Sequence, residues 1–227
     1  VRVVRVESFL GVVAKDEWAA IRAARELKAT WSEGTTLPGS AGLGGVVRNA
    51  AVDKDEMVIN RGNVASAMSG AAKTFAASYY WPNQSHASLG PSCAVADMRD
   101  GGLTVWSSVQ APHGLRANLS KIFGVPFAKT RIVYMDGSGC YGGNGNDDVA
   151  ADATLLSKAV NAPVRVQWMR QDEHAWDPKG PQQLIDLRAG LDAQGNIAAW
   201  DAEMWVPMNK PGSRPMRSEE HTSELQS

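Results

Sequence analysis

Five glycines among the nine residues 137–145 constrain this chain more than any other feature of its sequence. A strand predicted over residues 131–135 leads into them, and a helix that begins at Asp147 or Asp148 follows and runs through Val160. A glycine-rich connection between a strand and a helix lets backbone N–H groups approach a ligand closely, and the helix N terminus adds positive potential. The glycine loop is therefore a candidate binding segment.

The remaining patterns indicate interleaved strands and helices. Asp16 is a predicted N-cap for a helix over residues 17–30, and Gly124 is a predicted stop for a helix over residues 114–123. Turn residues at 100–102 and 192–196 predict two hairpins. Further strands are predicted over residues 1–6, 9–13, 75–81 (half-buried), 93–98, 103–108, 164–169, 184–187 and 197–205. Because strict β-α-β alternation is missing, the predicted fold class is α+β.

Charge and composition exclude two kinds of partner. Lys and Arg number 23 against 24 Asp and Glu, so a basic field that would point to nucleic acid is missing. The longest stretch without these charged residues, 74–96, contains Pro82 and Pro91 together with polar side chains, which a transmembrane segment would not tolerate. The two cysteines, Cys93 and Cys140, cannot form a disulfide framework and lack metal-site spacing.

The loop by itself leaves two interpretations open. Gly137, Gly139 and Gly142 satisfy the G-x-G-x-x-G pattern after a strand, and Asp172 ends the next predicted strand, as in a nicotinamide-dependent oxidoreductase. Against this, residues 144–146 have poor helix propensity where a phosphate-binding helix should already run. The other interpretation is a structural connection in a non-catalytic interaction domain.

The segments around the loop resemble a known family. The run Val-Trp-Ser-Ser-Val-Gln-Ala-Pro is followed by a helix near Leu-Arg, then by Gly-Val-Pro, Arg-Ile-Val, the glycine loop and Asn-Ala-Pro-Val-Arg-Val; these stand at 105–112, 115–116, 124–126, 131–133, 137–145 and 161–166. In this order they resemble the molybdopterin-binding large subunit of the xanthine dehydrogenase and aldehyde oxidase family. More narrowly, they resemble the bacterial branch of this family that contains isoquinoline 1-oxidoreductase and nicotinate dehydrogenase. Residues 86–91 correspond to the family's His-Ala-x-Met-Glu-Pro, with Gly90 in place of Glu.

The resemblance implies a domain organisation. Residues 1–32 would be the C-terminal part of a small α/β hammerhead domain, and residues 33–60 a linker. Residues 61–216 would be a truncated first part of the molybdopterin-binding domain. The last eleven residues, 217–227, look like a translated DNA-sequencing adapter and are expected to pack on nothing. The chain is thus expected to be a fragment.

The resemblance also implies an activity. Family members oxidise an aldehyde or N-heterocycle, a small-molecule substrate, with water as the oxygen source. Their cofactor is molybdenum held by molybdopterin, generally the cytosine dinucleotide form in bacteria. Electrons leave through 2Fe–2S clusters on a small iron–sulfur subunit or domain, and a cytochrome or flavin would accept them. The compartment, cytoplasmic or periplasmic, stays open.

Candidate site residues carry over position by position. Gln110 matches the glutamine whose amide lies beside the molybdenum centre, where an amide can donate a hydrogen bond without adding charge. The glycine loop matches the family's Gly-Gly-Gly-Phe-Gly segment, with Ser138 on a glycine and Cys140 on the phenylalanine. The cofactor contacts would thus be Gln110, Gly137, Ser138, Gly139, Cys140, Tyr141 and Gly142, with no direct metal ligand. The catalytic glutamate of the family would lie beyond this sequence.

Three further expectations concern this site. Tyr141 stands on a family glycine and is strained if it must take φ > 0. The strands that lead to Gln110 and to the loop should end at the same edge of the fold, which would bring the two together. Asp172 and Glu173 are expected to form a solvated strand end, and His86 and Pro91 to shape a buried turn.

Overall fold

The computed structural model describes residues 1–32, 39–143 and 148–207. Among these, residues 1–32 and 85–179 form one unit by their contacts, and residues 39–84 and 180–207 form a second unit. The adapter-like residues 217–227 and the start of the expected linker lie outside the described residues, and the predicted domain boundaries stay predictions. In the described ranges, none of the helices has the length and apolar character that crossing a membrane requires.

The elements follow one another in mixed order along the chain, which confirms the α+β class. The helices are α1 (Glu17–Glu26), α2 (Leu43–Asn49), α3 (Val64–Ser69), α4 (Pro112–Phe123), α5 (Asp148–Val160) and α6 (Arg170–Trp176). The strands are β1 (Arg2–Val6), β2 (Phe9–Val13), β3 (Lys73–Trp81), β4 (Cys93–Asp97), β5 (Leu103–Ser107), β6 (Thr130–Tyr134), β7 (Val164–Gln167), β8 (Gln183–Leu191) and β9 (Ile197–Trp205).

A four-stranded sheet in the order β6-β5-β4-β7 forms the centre of the first unit. Strands β5 and β6 are parallel, and α4 connects them, whereas β4 runs antiparallel to both β5 and β7. The β4–β5 hairpin turns at Asp100 and Gly101, both with positive φ, as its turn residues predict. Helix α4 ends at Gly124 in the left-handed conformation (φ 67°), also as predicted.

Helix α5 supplies much of the core of this unit. Its buried residues Val149, Ala150 and Ala153 pack with residues of β4 and β5. One turn further, Leu156 joins Val4 and Val164 in a second cluster, so the β1–β2 hairpin packs against α5 and β7. A Cβ on Gly11 would lie 3.0 Å from the Leu156 side chain, which shows how closely hairpin and helix approach.

The second unit contains the antiparallel sheet β3-β8-β9 and the helices α2 and α3. The hairpin at 192–196 is confirmed, and Asp192 Oδ1 accepts hydrogen bonds from the N–H groups of Gln194 and Asn196. Every residue of β3 is exposed, so the predicted half-buried face is wrong. The physical reason is packing: β3 is one of the two edge strands, and within the described residues α2 and α3 pack mainly against β8 and β9.

Three boundaries differ from the sequence patterns. Helix α1 has the predicted Asp16 cap, which accepts a hydrogen bond from Ala19 N at 2.8 Å, but it ends at Glu26 rather than at residue 30. Helix α4 begins two residues early because Pro112 occupies its first turn, where a missing N–H costs nothing. Strand β7 ends at Gln167, and the helix α6 that follows was missed.

A charged cluster joins α2 to all three strands of the second sheet. The Arg48 guanidinium contacts Asp186 of β8 at 2.5 Å and lies 4.7 Å from the Trp205 ring centroid on β9. The Ser78 hydroxyl of β3 also donates to Asp186 at 2.5 Å. The hydrogen bonds from Arg48 and Ser78 lower the pKa of Asp186 to about 2.

Replacing Asp186 by Asn should make the free energy of unfolding less dependent on pH in the acid range. The ordinary pKa of this carboxyl is 3.8, so its stabilising contribution is present above about pH 4 and is lost as the pH falls toward 2. Denaturant unfolding should show the wild-type chain losing more stability than D186N between pH 4 and pH 2. Asp201→Asn, which removes the exposed pair with Arg188 on the same sheet, is the control and should alter the profile less. Identical profiles for wild type and D186N would contradict the assignment.

Candidate functional site

The parallel pairing of β5 and β6 sets the place of the candidate site. Ser107, the last residue of β5, lies opposite Tyr134, the last residue of β6, so the two strands end at the same edge, as expected. The Met135 N–H extends the pairing by donating to Ser107 O at 3.0 Å. The connection with Gln110 and the connection with the glycine loop therefore leave the sheet side by side.

A cleft of about 360 Å³ opens at this edge. Of the predicted site residues, Gly137, Ser138 and Gly139 line it, whereas Gln110, Cys140, Tyr141 and Gly142 do not. Among the described residues that line it, Asp136 is the one charged residue, and the others are serines, glycines and apolar residues. The described residues that line the cleft are Gly90, Pro91, Ser92, Cys93, Ala94, Val95, Trp106, Ser107, Ser108, Met135, Asp136, Gly137, Ser138 and Gly139.

Gln110 lies two residues beyond the cleft wall formed by Ser108. Val109 before it is buried, and Pro112 after it begins α4, so the position of the turn is fixed on both sides. The Gln110 side chain is exposed, and its amide has no hydrogen-bond partner within the described parts of the chain. An amide placed this way is able to donate to a bound group.

The glycine loop turns through the left-handed region three times, at Gly139 (φ 92°), Tyr141 (φ 51°) and Gly142 (φ 99°). Tyr141 therefore has the positive φ that was considered for it because it stands on a family glycine. For a non-glycine residue this conformation costs about 1–3 kcal/mol. Its ring lies over Gly139, where a Cβ would come within 2.8 Å of it. The loop thus stores strain and leaves no space at Gly139 for a side chain.

A second segment, residues 86–92, which precedes β4, forms hydrogen bonds with the glycine loop. His86 Nδ1 donates to the Tyr141 carbonyl oxygen at 2.6 Å, and the Ser88 hydroxyl donates to the Cys140 carbonyl oxygen at 3.1 Å. A Cβ on Gly142 would lie 2.7 Å from the His86 ring. We call residues 86–92 the loop-binding segment. His86 was expected only to shape a turn, and sequence reasoning missed its contact with the loop.

The expectation of a solvated strand end at 172–173 is wrong. Both residues lie in α6, where Asp172 accepts a hydrogen bond from Met169 N at 2.9 Å. Glu173 is 6% exposed and accepts hydrogen bonds from the backbone N–H and the hydroxyl of Ser92, at 2.7 and 2.8 Å. Arg170 pairs with Glu173 at 2.8 Å, so the buried carboxylate is compensated. The i,i+3 spacing of Arg170 and Glu173 was the signal for a helix here.

The structure does not support a dinucleotide-binding unit. In such a unit the strand after the helix pairs beside the strand before it. Here β7 lies at the opposite sheet edge from β6, with β5 and β4 between them. The G-x-G-x-x-G match in the loop is therefore not accompanied by the required topology. Within the described residues there is also no group of three His, Cys, Asp or Glu side chains placed to hold a metal ion.

Comparison with known proteins decides between the remaining interpretations. Residues 48–210 match the sequence profile of the family described as molybdopterin cofactor-binding domain. The chain belongs to the molybdopterin cofactor-binding family.

Two curated relatives show how this family member compares in sequence. The chain is 46% identical over 211 residues to a subunit of the nicotinate dehydrogenase of Pseudomonas putida, covering 92% of this chain and 18% of that protein. It is 33% identical over 159 residues to the aldehyde oxidoreductase molybdenum-binding subunit PaoC of Escherichia coli K12, covering 69% and 21%. The chain thus spans about a fifth of the length of these relatives.

Solved structures share the fold of this family member at low sequence identity. Quinoline 2-oxidoreductase from Pseudomonas putida 86 aligns with a TM-score of 0.67 at 19% identity, covering 84% of this chain and 25% of that chain. The Cu,Mo-CO dehydrogenase aligns with a TM-score of 0.64 at 19% identity, covering 84% and 27%.

The residues at the sheet edge fit an uncharged portion of a molybdopterin cofactor. Gly137 and Gly139 line the cleft, and their N–H groups donate to no acceptor within the described ranges. A Cβ on Gly137 would lie 2.6 Å from the Ser108 side chain, so the backbone itself forms the wall. The described residues that line the cleft include no lysine, arginine or histidine to compensate a phosphate. A ligand at this edge would be held by backbone and amide donors rather than by charge.

Alanine at Gly142 should destabilise the first unit more than alanine at Gly101. Both glycines have positive φ, which costs an alanine about 1–2 kcal/mol, but open space surrounds Gly101 whereas His86 occupies the Cβ position of Gly142. We expect the free energy of unfolding to fall by about 1 kcal/mol for G101A and by a larger amount for G142A. Denaturant unfolding of the two variants measures this, and equal losses would mean that the His86 contact contributes nothing.

Proposed function

We propose that this chain forms the glycine-loop side of the cofactor site in the catalytic subunit of a molybdenum hydroxylase. That enzyme would oxidise an aldehyde or an N-heterocycle with water as the oxygen source. The observation that carries the proposal is the placement of Gln110 and the glycine loop at one sheet edge, in a chain of the molybdopterin cofactor-binding family.

The names of the relatives support the substrate class. Nicotinate, the substrate named for the Pseudomonas putida relative, is an N-heterocycle, and the Escherichia coli relative is named for aldehydes. Quinoline, named for one structural neighbour, is also an N-heterocycle. We propose that this chain acts on the same class of electron-poor carbon.

When bound, the cofactor would supply the acceptor for the two electrons of the oxidation, and the residues of this chain would hold and orient it. Gln110 would donate a hydrogen bond from its amide to a polar atom at the reaction centre, since the side chain is exposed and has no partner in the described residues. An amide cannot titrate near neutral pH, so this donor would remain constant with pH. The loop from Gly137 to Gly142, with Ser138, Gly139, Cys140 and Tyr141 between them, would carry the cofactor along its backbone.

The proposal extends to the form of the cofactor and to partner subunits. We propose the cytosine dinucleotide form, and a small subunit with 2Fe–2S clusters that passes electrons to a cytochrome or flavin acceptor. The relatives are named as subunits, which supports a multi-subunit assembly. We also propose that residues 1–32 belong to a hammerhead-type domain, residues 33–60 to a linker and residues 61–216 to the molybdopterin-binding domain.

Metal and pterin analysis tests the proposal on the full-length protein that contains this chain. We expect molybdenum and pterin bound in equal amounts, together with oxidation of nicotinate, quinoline or an aromatic aldehyde. Bound pyridine nucleotide without molybdenum would favour the nicotinamide-dependent alternative. Absence of both from protein made in a molybdenum-replete host would favour an interaction domain.

A Gln110→Ala variant tests the proposed donor. Removing one hydrogen bond at a reaction centre lowers turnover on the order of 10²-fold, and the metal content should stay unchanged. Gln194→Ala is the matched control, because Gln194 is an exposed glutamine in the β8–β9 turn. Full turnover in the Gln110 variant would remove Gln110 from the mechanism.

A further inference from the structure

The Ser138 hydroxyl connects the glycine loop to the loop-binding segment at the wall of the cleft. Ser138 Oγ accepts a hydrogen bond from Gly90 N at 2.7 Å and donates to Gly90 O at 3.3 Å. Both residues line the cleft. A single side chain therefore satisfies the donor and the acceptor of one residue 48 positions away in sequence.

The residue at position 90 is restricted by the space around it and not by its backbone conformation. A Cβ at this position would lie 2.5 Å from Ser138 Oγ and 3.3 Å from Ser138 Cβ. The φ angle of Gly90 is not in the left-handed region, so an alanine would meet no backbone strain there. A Cβ at Gly90 would therefore displace the Ser138 hydroxyl from its present position.

The loop-binding segment is itself fixed on both sides of Gly90. Arg170 donates to the carbonyl oxygens of Ser88 at 2.5 Å and Leu89 at 2.9 Å. On the other side, the buried Glu173 carboxylate holds the N–H and the hydroxyl of Ser92. Helix α6 thus restrains the backbone on both sides of Gly90.

We propose that Ser138 and Gly90 form a clasp that positions the loop wall of the cleft, with the Arg170–Glu173 pair as its anchor. Both clasp residues depart from the pattern of the family that the sequence resembles, with Gly90 for Glu and Ser138 for Gly. Their contact makes the two departures a single coupled feature. Ser138 is a positioning residue: it sets where Gly137 and Gly139 lie, and through them the width of the cleft.

Hydrogen exchange measures the clasp directly on the full-length protein. Loss of one hydrogen bond of about 1 kcal/mol corresponds to about fivefold faster exchange. In S138A we expect this increase in peptides that contain residues 86–92 and 137–143, and no change in S69A. Ser69 is the control because its hydroxyl also bonds to a backbone carbonyl, at Ser66 in α3. Unchanged exchange in S138A would overturn the proposal.

Reciprocal rescue separates a direct contact from general loosening. G90A should increase exchange in the same two peptides, because its Cβ displaces Ser138. The double variant G90A/S138G removes the atoms that clash but also the Ser138 hydroxyl, so residues 86–92 should exchange more slowly than in G90A and no more slowly than in S138A. If G90A alone matches the wild type, or if the second change brings no rescue, the clasp is not the determinant.

The kinetic consequence rests on the proposed function. In the loaded enzyme, S138A should raise KM for the substrate about fivefold and change kcat less, because Ser138 positions the wall without touching reacting atoms. A fall in kcat at constant KM would contradict a positioning role. The two proposals fail separately: a protein without molybdenum refutes the proposed function even when exchange confirms the clasp. Unchanged exchange in a molybdenum-loaded S138A protein refutes the clasp alone.

Discussion

The parallel pairing of β5 with β6 is the constraint on which the candidate site depends. Parallel neighbours end at the same edge of a sheet, so the connections that follow them must leave together. One connection carries Gln110 and the other carries the glycine loop. Helix α4 makes the crossover, and the buried residues Leu115 and Leu119 hold it against the sheet. The two connections thereby leave the sheet at one edge, where the cleft is lined by Gly137, Ser138 and Gly139 and not by Gln110.

The loop keeps its shape because three kinds of constraint agree. Gly139 and Gly142 provide the left-handed turns, and Tyr141 is held in the same region at an energetic cost. The loop-binding segment then occupies the space that side chains would need, through His86 and through Ser138 against Gly90. Strain of this kind persists only where the surroundings over-determine the backbone, and here α6 supplies that support through its buried carboxylate.

Among the described residues, the second unit buries fewer apolar side chains than the first. Its three strands are joined to α2 by Arg48 and Asp186, and the exposed edge strand β3 carries aromatic residues that no described helix of this unit covers. The first unit, by contrast, buries apolar residues on α5 and on the β4–β5 hairpin. The candidate site residues thus lie in the unit with the larger apolar core.

The sequence by itself determined the local structure and the family. Asp16 and Gly124 mark helix ends through backbone hydrogen bonding and left-handed φ, and the hairpin turns follow from their glycines, because these are interactions within a few residues. Only the tertiary structure decided which distant groups meet. The buried Glu173 has Ser92 and Arg170 as its partners, and a Cβ on Gly90 would meet the Ser138 hydroxyl. No local pattern contains such contacts, since burial and close approach depend on segments brought together by the sheet.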